Sequence, residues 1–246
     1  FIVEPFLGVG GFLPADKEYL DLARGLTERH GIVLVFDEII SGFRFCPSGL
    51  QTLYGVRPDL TAFGKIIGGG HAVAAVVGPS KLMERCERGG RNRVMFEGGT
   101  FSSHAEYMKA GLIMLGHLVR GAATVYPRMA RAGEKLRRGI ERAFAAEGIA
   151  ARCTGDGNGV VPGSSLFMVH FPRDKEAACD RPEVLHDDRR MDLALREDLL
   201  KLALLIHGVN VVHGGGAVSA AHRERDIETT LAAYGEAARL FKKYLG

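Results

Sequence analysis

The sequence of 246 residues has no tryptophan, only four cysteines and no apolar run long enough to cross a bilayer. A membrane helix needs roughly 20 apolar residues in succession, so we expect no contact with a membrane. The cysteines stand at positions 46, 86, 153 and 179 and form no Cys-x-x-Cys pair. We therefore expect free thiols in a reducing compartment, the cytoplasm.

Charge of neither sign dominates, because 32 basic residues face 29 acidic ones and the net charge is +3. The absence of a dense basic stripe argues against nucleic acid as a partner, and we expect the basic cluster at 85–93 to be a solvated loop. The histidines at 207, 213 and 222 lack a ligand spacing, so we expect no metal site. The hydrophobic content of 46% suffices for one sizeable core and a smaller lobe.

Two short apolar runs, at residues 32–36 and 60–63, are typical of parallel strands that are covered on both faces. A right-handed crossover between them brings both carboxyl ends to one edge of the sheet, where open α/β sheets bind ligands. Asp37 follows the first run and Lys65 comes just after the second. Neighbouring strands lie roughly 5 Å apart and next-nearest ones roughly 10 Å apart, so the two side chains could hold opposite ends of a small aromatic ring. The pair suits an aldehyde cofactor with a basic ring nitrogen.

Spacing alone leaves a simpler alternative open, in which Asp37 and Lys65 form an ordinary ion pair or each lies in solvent at a strand end. The neighbouring glycines favour the ligand interpretation. Gly64 precedes the lysine and a triple glycine at 68–70 follows it, and glycine permits close backbone approach and unusual dihedral angles. A bulky cofactor beside the chain would require both.

Four sequence words together resemble the class III, fold type I aminotransferases that depend on pyridoxal 5'-phosphate (PLP), and within them the glutamate-1-semialdehyde aminomutase-like proteins. The words are Asp-Glu-Ile-Ile-Ser-Gly-Phe-Arg at 37–44, Tyr-Gly-Val-Arg-Pro-Asp-Leu at 54–60, Gly-Lys-Ile-Ile-Gly-Gly-Gly at 64–70 and Gly-Gly-Thr-Phe-Ser-Ser-His at 98–104. The resemblance covers essentially the whole chain. It implies an α/β fold, with a mostly parallel sheet in a large domain and a smaller α+β C-terminal domain.

The resemblance also implies roles for individual residues around the cofactor. Lys65 would form a Schiff base with PLP and later move the proton between substrate and cofactor carbons, which requires a lysine that loses its charge. Asp37 would pair with the pyridinium nitrogen and keep it protonated, so that the ring accepts electrons. Ile39 would pack on one face of the ring.

The word around Gly99 and Thr100 resembles the family's phosphate contact, which a neighbouring subunit supplies. The resemblance therefore implies a homodimer with a shared active site. Glycines before a hydroxyl at the start of a helix form a plausible anion site. The alternative is that Ser102 or Ser103 only caps a helix at about 105–119.

Substrate residues are less well defined. Glu4 at a strand end resembles a residue that lines the family's site, and Arg44 either binds a substrate carboxylate or forms a salt bridge that fastens its loop. His213 occupies a segment where aminomutases usually carry an aromatic residue and a glutamate, and it is either a site residue or structural. This departure argues against aminomutase activity. The implied substrates are a small-molecule amino donor and a carbonyl acceptor.

We predict three segments: part of the large domain at 1–120, a connecting helix at 121–150 and a small domain at 151–246. Within the last, we expect strands at 151–153, 165–171 and 209–212, helices at 191–207 and 223–244, and a polar loop at 173–188. The family's N-terminal segment is not visible, so we expect a fragment of a longer polypeptide. The leading hypothesis is a PLP-dependent aminotransferase, and the alternatives are an aminomutase and a catalytically silent PLP-fold or assembly module.

Overall fold

The computed structural model describes residues 1–86, 93–94 and 99–245. Residues 87–92 of the predicted solvated loop, and 98 of the Gly-Gly-Thr word, lie outside the described residues. The chain divides into two compact units. The first unit comprises Phe1–Phe6 and Ala15–Ala123, and the second comprises Leu7–Pro14 and Thr124–Gly246.

Strands and helices alternate in the first unit and are mixed in the second. In chain order, the strands are β1 Ile2–Val3, β2 Phe6–Leu7, β3 Leu13–Pro14, β4 Val35–Glu38, β5 Leu60–Phe63, β6 Ala75–Val77, β7 Arg152–Thr154, β8 Leu166–His170 and β9 Gly215–Ala217. The α-helices are α1 Lys17–Arg29, α2 Gln51–Tyr54, α3 Ser80–Met83, α4 Ala105–Arg120, α5 Ala122–Ala146, α6 Pro182–Leu185, α7 Leu200–Leu205 and α8 Glu224–Leu245. Among the described residues, no helix is both long enough and apolar enough to span a membrane.

The sheet of the first unit has the strand order β1-β4-β5-β6. Strands β1 and β5 both run parallel to β4, and β6 runs antiparallel to β5 at the edge. The predicted α/β fold with a mostly parallel sheet is therefore confirmed. Strand β4 begins at Val35 and ends at Glu38, later than the predicted 32–36, because Ile32 and Val33 are 45% and 39% exposed and only lead into the sheet.

In helix α1, the spacing of residues in the sequence explains which face of the helix is buried. Its buried residues Leu20, Ala23 and Thr27 recur at three- and four-residue spacing, which puts them on one face of the helix. The Thr27 hydroxyl donates to the carbonyl of Ala23, so burial leaves no unpaired hydroxyl. Lys17 and Asp21 form an exposed ion pair one turn apart on the helix, which adds little stability.

The second unit contains the antiparallel sheet β7-β8-β9, and β2 and β3 form a separate two-stranded sheet. All five residues of β8 are buried. The ring of Phe144 in α5 lies edge-on to Phe171, with centroids 5.0 Å apart, and stacks with Phe241 of α8. These aromatic contacts make the centre of one continuous apolar core.

Two local expectations for the second unit are wrong. Residues 209–212 are not a strand, because Val212 makes only an isolated bridge to Gly215 and the strand is β9. The predicted polar loop at 173–188 contains α6, whose Val184 and Leu185 are buried in a small satellite cluster with Met191. Its few apolar residues stand among charged ones, so neither a helical nor a strand period was visible in the sequence.

Candidate functional site

Strand β4 delivers Asp37 to the carboxyl end of the sheet. Asp37 is paired in register with Ala62 of the parallel strand β5, three residues before Lys65. The Asp37 side chain is half-buried, and its Oδ1 accepts a hydrogen bond from the backbone N–H of Ile39 at 3.0 Å. Its second oxygen, Oδ2, has no hydrogen-bond partner within the described part of the chain, so it is available to a ligand.

Lys65 begins a 3-10 turn at Lys65–Gly68, which we call the Lys65 turn. Lys65 is exposed, and its φ of 49° lies in the left-handed region. Among the residues that the structure describes, its Nζ forms no hydrogen bond or ion pair. The simple Asp37–Lys65 ion pair is therefore not formed, and the amine is free to react.

Ile39 lies against the residue that precedes the lysine. A Cβ added at Gly64 would come within 3.1 Å of Ile39 Cγ2, so only glycine allows this approach without a shift of Ile39. The Ile39 side chain remains 37% exposed. The structure thus brings a free carboxylate oxygen, a free amine and a partly exposed apolar side chain to neighbouring strand ends.

A cavity of about 460 Å³ lies beside Ile39 and the start of α4. Gly99, Ser102 and Ser103 contribute to its lining, together with apolar residues of β5 and β6. Within the described residues, Asp37, Lys65 and Thr100 are not part of this lining. The structure therefore places Ile39 and Gly99 in one cavity, and Thr100 is an exposed residue next to it.

The first turn of α4 follows the Gly99–Thr100 segment. Its N-cap is His104, which makes no side-chain capping hydrogen bond, so neither Ser102 nor Ser103 caps the helix as the alternative proposed. Ser103 has a φ of 60°. The first amides of α4 are thus left without a side-chain cap, which is compatible with an anion at this end of the helix.

Arg44 lies in the loop after β4, and its Nε donates to the carbonyl of Ile40 at 2.9 Å. Burial lowers the pKa of Arg44 to about 10, because a charged guanidinium is poorly solvated there. No carboxylate pairs with it anywhere in the described sequence, so the predicted alternative of a salt bridge is not formed. Its remaining donors can bind an anionic group. Glu4, just after β1, is half-buried.

Sequence reasoning missed Glu38, which is fully buried beside Asp37. Its Oε2 accepts hydrogen bonds from the backbone N–H of Leu50 at 2.8 Å and from the Ser41 hydroxyl at 3.3 Å. Burial raises the pKa of Glu38, and these hydrogen bonds oppose the rise. The sequence does carry a signal for this position: successive residues of a strand point to opposite faces of the sheet, so Glu38 lies on the face opposite to Asp37.

His213 belongs to the second unit. Its φ is 52°, and its Nδ1 lies 3.0 Å from Oε2 of Glu197. The other oxygen of Glu197 accepts a hydrogen bond from Nε of the buried Arg196 at 2.8 Å. His213 is thus held at its turn by a carboxylate, although its side chain is 52% exposed and accessible.

Arg196 also connects Glu197 to the core of the second unit. Its Nη1 donates to the Leu185 carbonyl and to Nδ1 of His170, both at 3.0 Å. Because a guanidinium only donates, Nδ1 accepts, and the protonated Nε2 of His170 donates to the Thr154 hydroxyl at 2.9 Å. Burial and the nearby positive charge of Arg196 lower the pKa of His170 to about 3.

The chain is similar to several proteins of known name. It is 35% identical over 249 residues to a glutamate-1-semialdehyde 2,1-aminomutase from Pyrobaculum neutrophilum, a match that covers 100% of this chain and 54% of that protein. An omega-transaminase from Sphaerobacter thermophilus superposes with a TM-score of 0.80 at 30% identity, over 97% of this chain and 51% of the transaminase. A beta-phenylalanine aminotransferase from Variovorax paradoxus superposes with a TM-score of 0.77 at 29% identity, over 99% of this chain and 52% of that structure.

The chain spans about half the length of each of these relatives. The sequence pattern of the family described as aminotransferase class-III matches residues 1–160. This range contains β4, β5 and the Lys65 turn, and hence the carboxylate and the amine that meet at the sheet edge. The chain belongs to the class-III aminotransferase family.

Proposed function

We propose that this chain supplies the catalytic lysine and carboxylate of a PLP-dependent aminotransferase, which moves an amino group between an amino-acid-like donor and a carbonyl acceptor. The observation that carries the proposal is the pair of free groups at neighbouring strand ends, the Lys65 amine and Oδ2 of Asp37. In the described part of the molecule, both lack a protein partner. Family membership explains why both are kept free.

The residues present fit PLP. The cofactor carries an aldehyde, a basic ring nitrogen and a flat ring, and these match an amine, a carboxylate and an apolar side chain. Lys65, Asp37 and Ile39 supply these three groups. The close approach of Ile39 to Gly64 leaves little room for a side chain at Gly64, just before the lysine. When bound, PLP supplies an electron-accepting ring that stabilises negative charge at the substrate carbon.

Each residue of the site would then have a distinct role. Lys65 Nζ would hold the cofactor through its aldehyde and, once the substrate amine has displaced it, would move the proton at the substrate carbon. Asp37 would accept a hydrogen bond from the ring N–H and would keep that nitrogen protonated. The hydrogen bond from the Ile39 amide fixes the Asp37 carboxylate in place. Ile39 covers one face of the ring and excludes water from it.

Gly99 and Thr100 would bind the phosphate group of the PLP that a neighbouring subunit holds, and the uncapped start of α4 follows them. The enzyme would then be a homodimer with a shared site. Arg44, which has no carboxylate partner among the residues described, is the candidate for the substrate carboxylate. Glu4 and His213 are the further candidates for contacts to the substrate. The four free cysteines support a cytoplasmic location.

The test is covalent labelling of the 246-residue chain. PLP is added, the complex is reduced with borohydride, and the modified peptide is mapped by mass spectrometry. We expect label at Lys65 and loss of that label in Lys65→Ala, while Lys201→Ala, which removes an exposed lysine of the second unit, retains it. Label only at other lysines, or equal label in Lys65→Ala, would contradict the proposal and favour the catalytically silent module.

Asp37→Asn tests the second role. The amide cannot hold the ring nitrogen protonated, so we expect label at Lys65 to persist while exchange of the substrate α-proton with solvent slows at least tenfold. Proton exchange at the wild-type rate would show that Asp37 does not support the electron-accepting ring.

The aminomutase relative favours a second candidate, transfer within one molecule. The two reactions differ in their need for an acceptor. An aminotransferase consumes a separate carbonyl acceptor in stoichiometric amount, and an aminomutase converts glutamate-1-semialdehyde without one. The product balance, measured with and without an added 2-oxo acid, separates them.

A further inference from the structure

The backbone of the Lys65 turn is held in a conformation that side chains disfavour. Lys65 itself has a φ of 49°, and the turn ends at Gly69 with a φ of 59°. An L-residue in the left-handed region persists only where its surroundings hold it. Three hydrogen bonds within the segment help, since the amides of Ile67, Gly69 and His71 donate to the carbonyls three residues earlier, at 3.0 to 3.3 Å.

Helix α4 supplies the outer support. A Cβ added at Gly111 would lie 2.8 Å from the carbonyl oxygen of Ile67, and one added at Gly69 would lie 2.8 Å from the carbonyl oxygen of Ala110. Neither position can carry a side chain unless backbone moves. The turn and the helix therefore meet backbone to backbone at two points, and Gly111 is buried at this contact.

We propose that Gly111 is a positioning residue for Lys65. Its missing side chain allows α4 to sit directly against the Ile67 carbonyl, and this contact sets the position of the Lys65 turn and thereby of the reactive amine. The inference rests on the proposed function, because it assigns Gly111 a role only if Lys65 is the reacting lysine.

The decisive variant is Gly111→Ala, which must push the Ile67 carbonyl away by several tenths of an ångström. The matched control is Gly116→Ala on the same helix, where the added Cβ meets only the flexible end of the Arg120 side chain at 3.1 Å. A second control, Leu118→Ala, removes a buried side chain of α4 about two turns beyond Gly111 and lowers stability.

The primary readout is the rate of reductive PLP labelling at Lys65, divided by the rate at the exposed Lys201. We expect this ratio to fall at least tenfold in Gly111→Ala and to stay within twofold of wild type in Gly116→Ala and Leu118→Ala. Amide hydrogen exchange should rise at Ile67, Gly69 and His71 in Gly111→Ala only. A purely structural role would lower the ratio in Leu118→Ala as much as in Gly111→Ala, and that result overturns the inference.

A further measurement covers the case in which Gly111→Ala does not fold. In the wild-type protein, the amides of the Lys65 turn should exchange together with those of α4, because the helix holds the turn. Fast exchange in the turn beside a protected α4 refutes the inference. Failure of wild-type labelling at Lys65 instead overturns the proposed function, so the two failures are distinguishable.

Discussion

The buried histidine of the second unit makes stability depend on pH in a direction that can be worked out. His170 has no exposed surface, and the Arg196 guanidinium donates to its Nδ1. Its pKa is lowered from 6.5 to about 3. The unfolded chain therefore binds this proton more tightly than the folded chain, so the stability that neutral His170 contributes is complete above 6.5 and is lost as pH falls toward 3.

The size of the effect follows from the same two values. One pKa unit corresponds to about 1.4 kcal/mol, and a pH of about 5 lies roughly 1.5 units below the unfolded value, while the folded histidine is still neutral. Acidification from about pH 7.5 to about pH 5 should thus lower the free energy of unfolding by about 2 kcal/mol through His170 alone. Other groups contribute as well, so a variant is needed to isolate this share.

His170→Gln removes the titration and keeps an acceptor for Arg196 and a donor for Thr154. We expect urea unfolding, followed by far-ultraviolet circular dichroism, to show that the variant loses about 2 kcal/mol less than wild type over this pH interval. His207→Gln, at an exposed histidine, controls for the loss of an imidazole as such. Equal losses in wild type and His170→Gln would refute the reasoning and show that the buried ring is charged or reaches solvent.

Glu38→Gln should show the opposite pH dependence. Because the pKa of Glu38 is raised in the folded protein, wild type should lose stability relative to the variant as the pH rises toward that pKa. The measurement is the difference in urea midpoint between the two proteins across the acid range. Gly133→Ala should destabilise by about 1–3 kcal/mol, because the added Cβ would lie 2.0 Å from the Ser164 carbonyl oxygen; a midpoint at or above that of wild type would show that the helix can move. Gly235→Ala in α8, with nothing within 4 Å of the added Cβ, should stabilise by about 0.5–1 kcal/mol in the same assay, and a loss of stability there would show that packing outweighs helix propensity.

The sheet, and the positions of Asp37 and Lys65 at its edge, could be predicted because they depend on strong local signals. Apolar runs mark parallel strands, and the carboxyl ends of such strands meet at one edge, so the sequence alone predicts that Asp37 and Lys65 lie near each other. The family words favour a cofactor site over an ion pair, and the roles of the two side chains stay a prediction. The fold class followed from the same strands.

Other features could not be predicted because they depend on tertiary contacts. The contact of Gly111 with the Ile67 carbonyl leaves no side-chain pattern, since its signature is the absence of a side chain. Strand β9 consists of Gly215, Gly216 and Ala217, which have low strand propensity, and it forms because the edge of β8 accepts it. The exposure of Lys65 also follows from the shape of its turn and not from its neighbours in sequence.

Two contacts support the strand ends that carry Asp37 and Lys65. Glu38 points away from Asp37 and binds the Leu50 amide, which closes the loop that carries Arg44. Gly111 lets α4 press on the turn that carries Lys65. For Lys65 Nζ and Asp37 Oδ2 to react as proposed, both atoms must stay free of protein partners, so their positions have to be set largely through the backbone. The proposed reaction therefore needs anchoring residues next to these two atoms, and in this chain a buried carboxylate and a glycine lie in the right places.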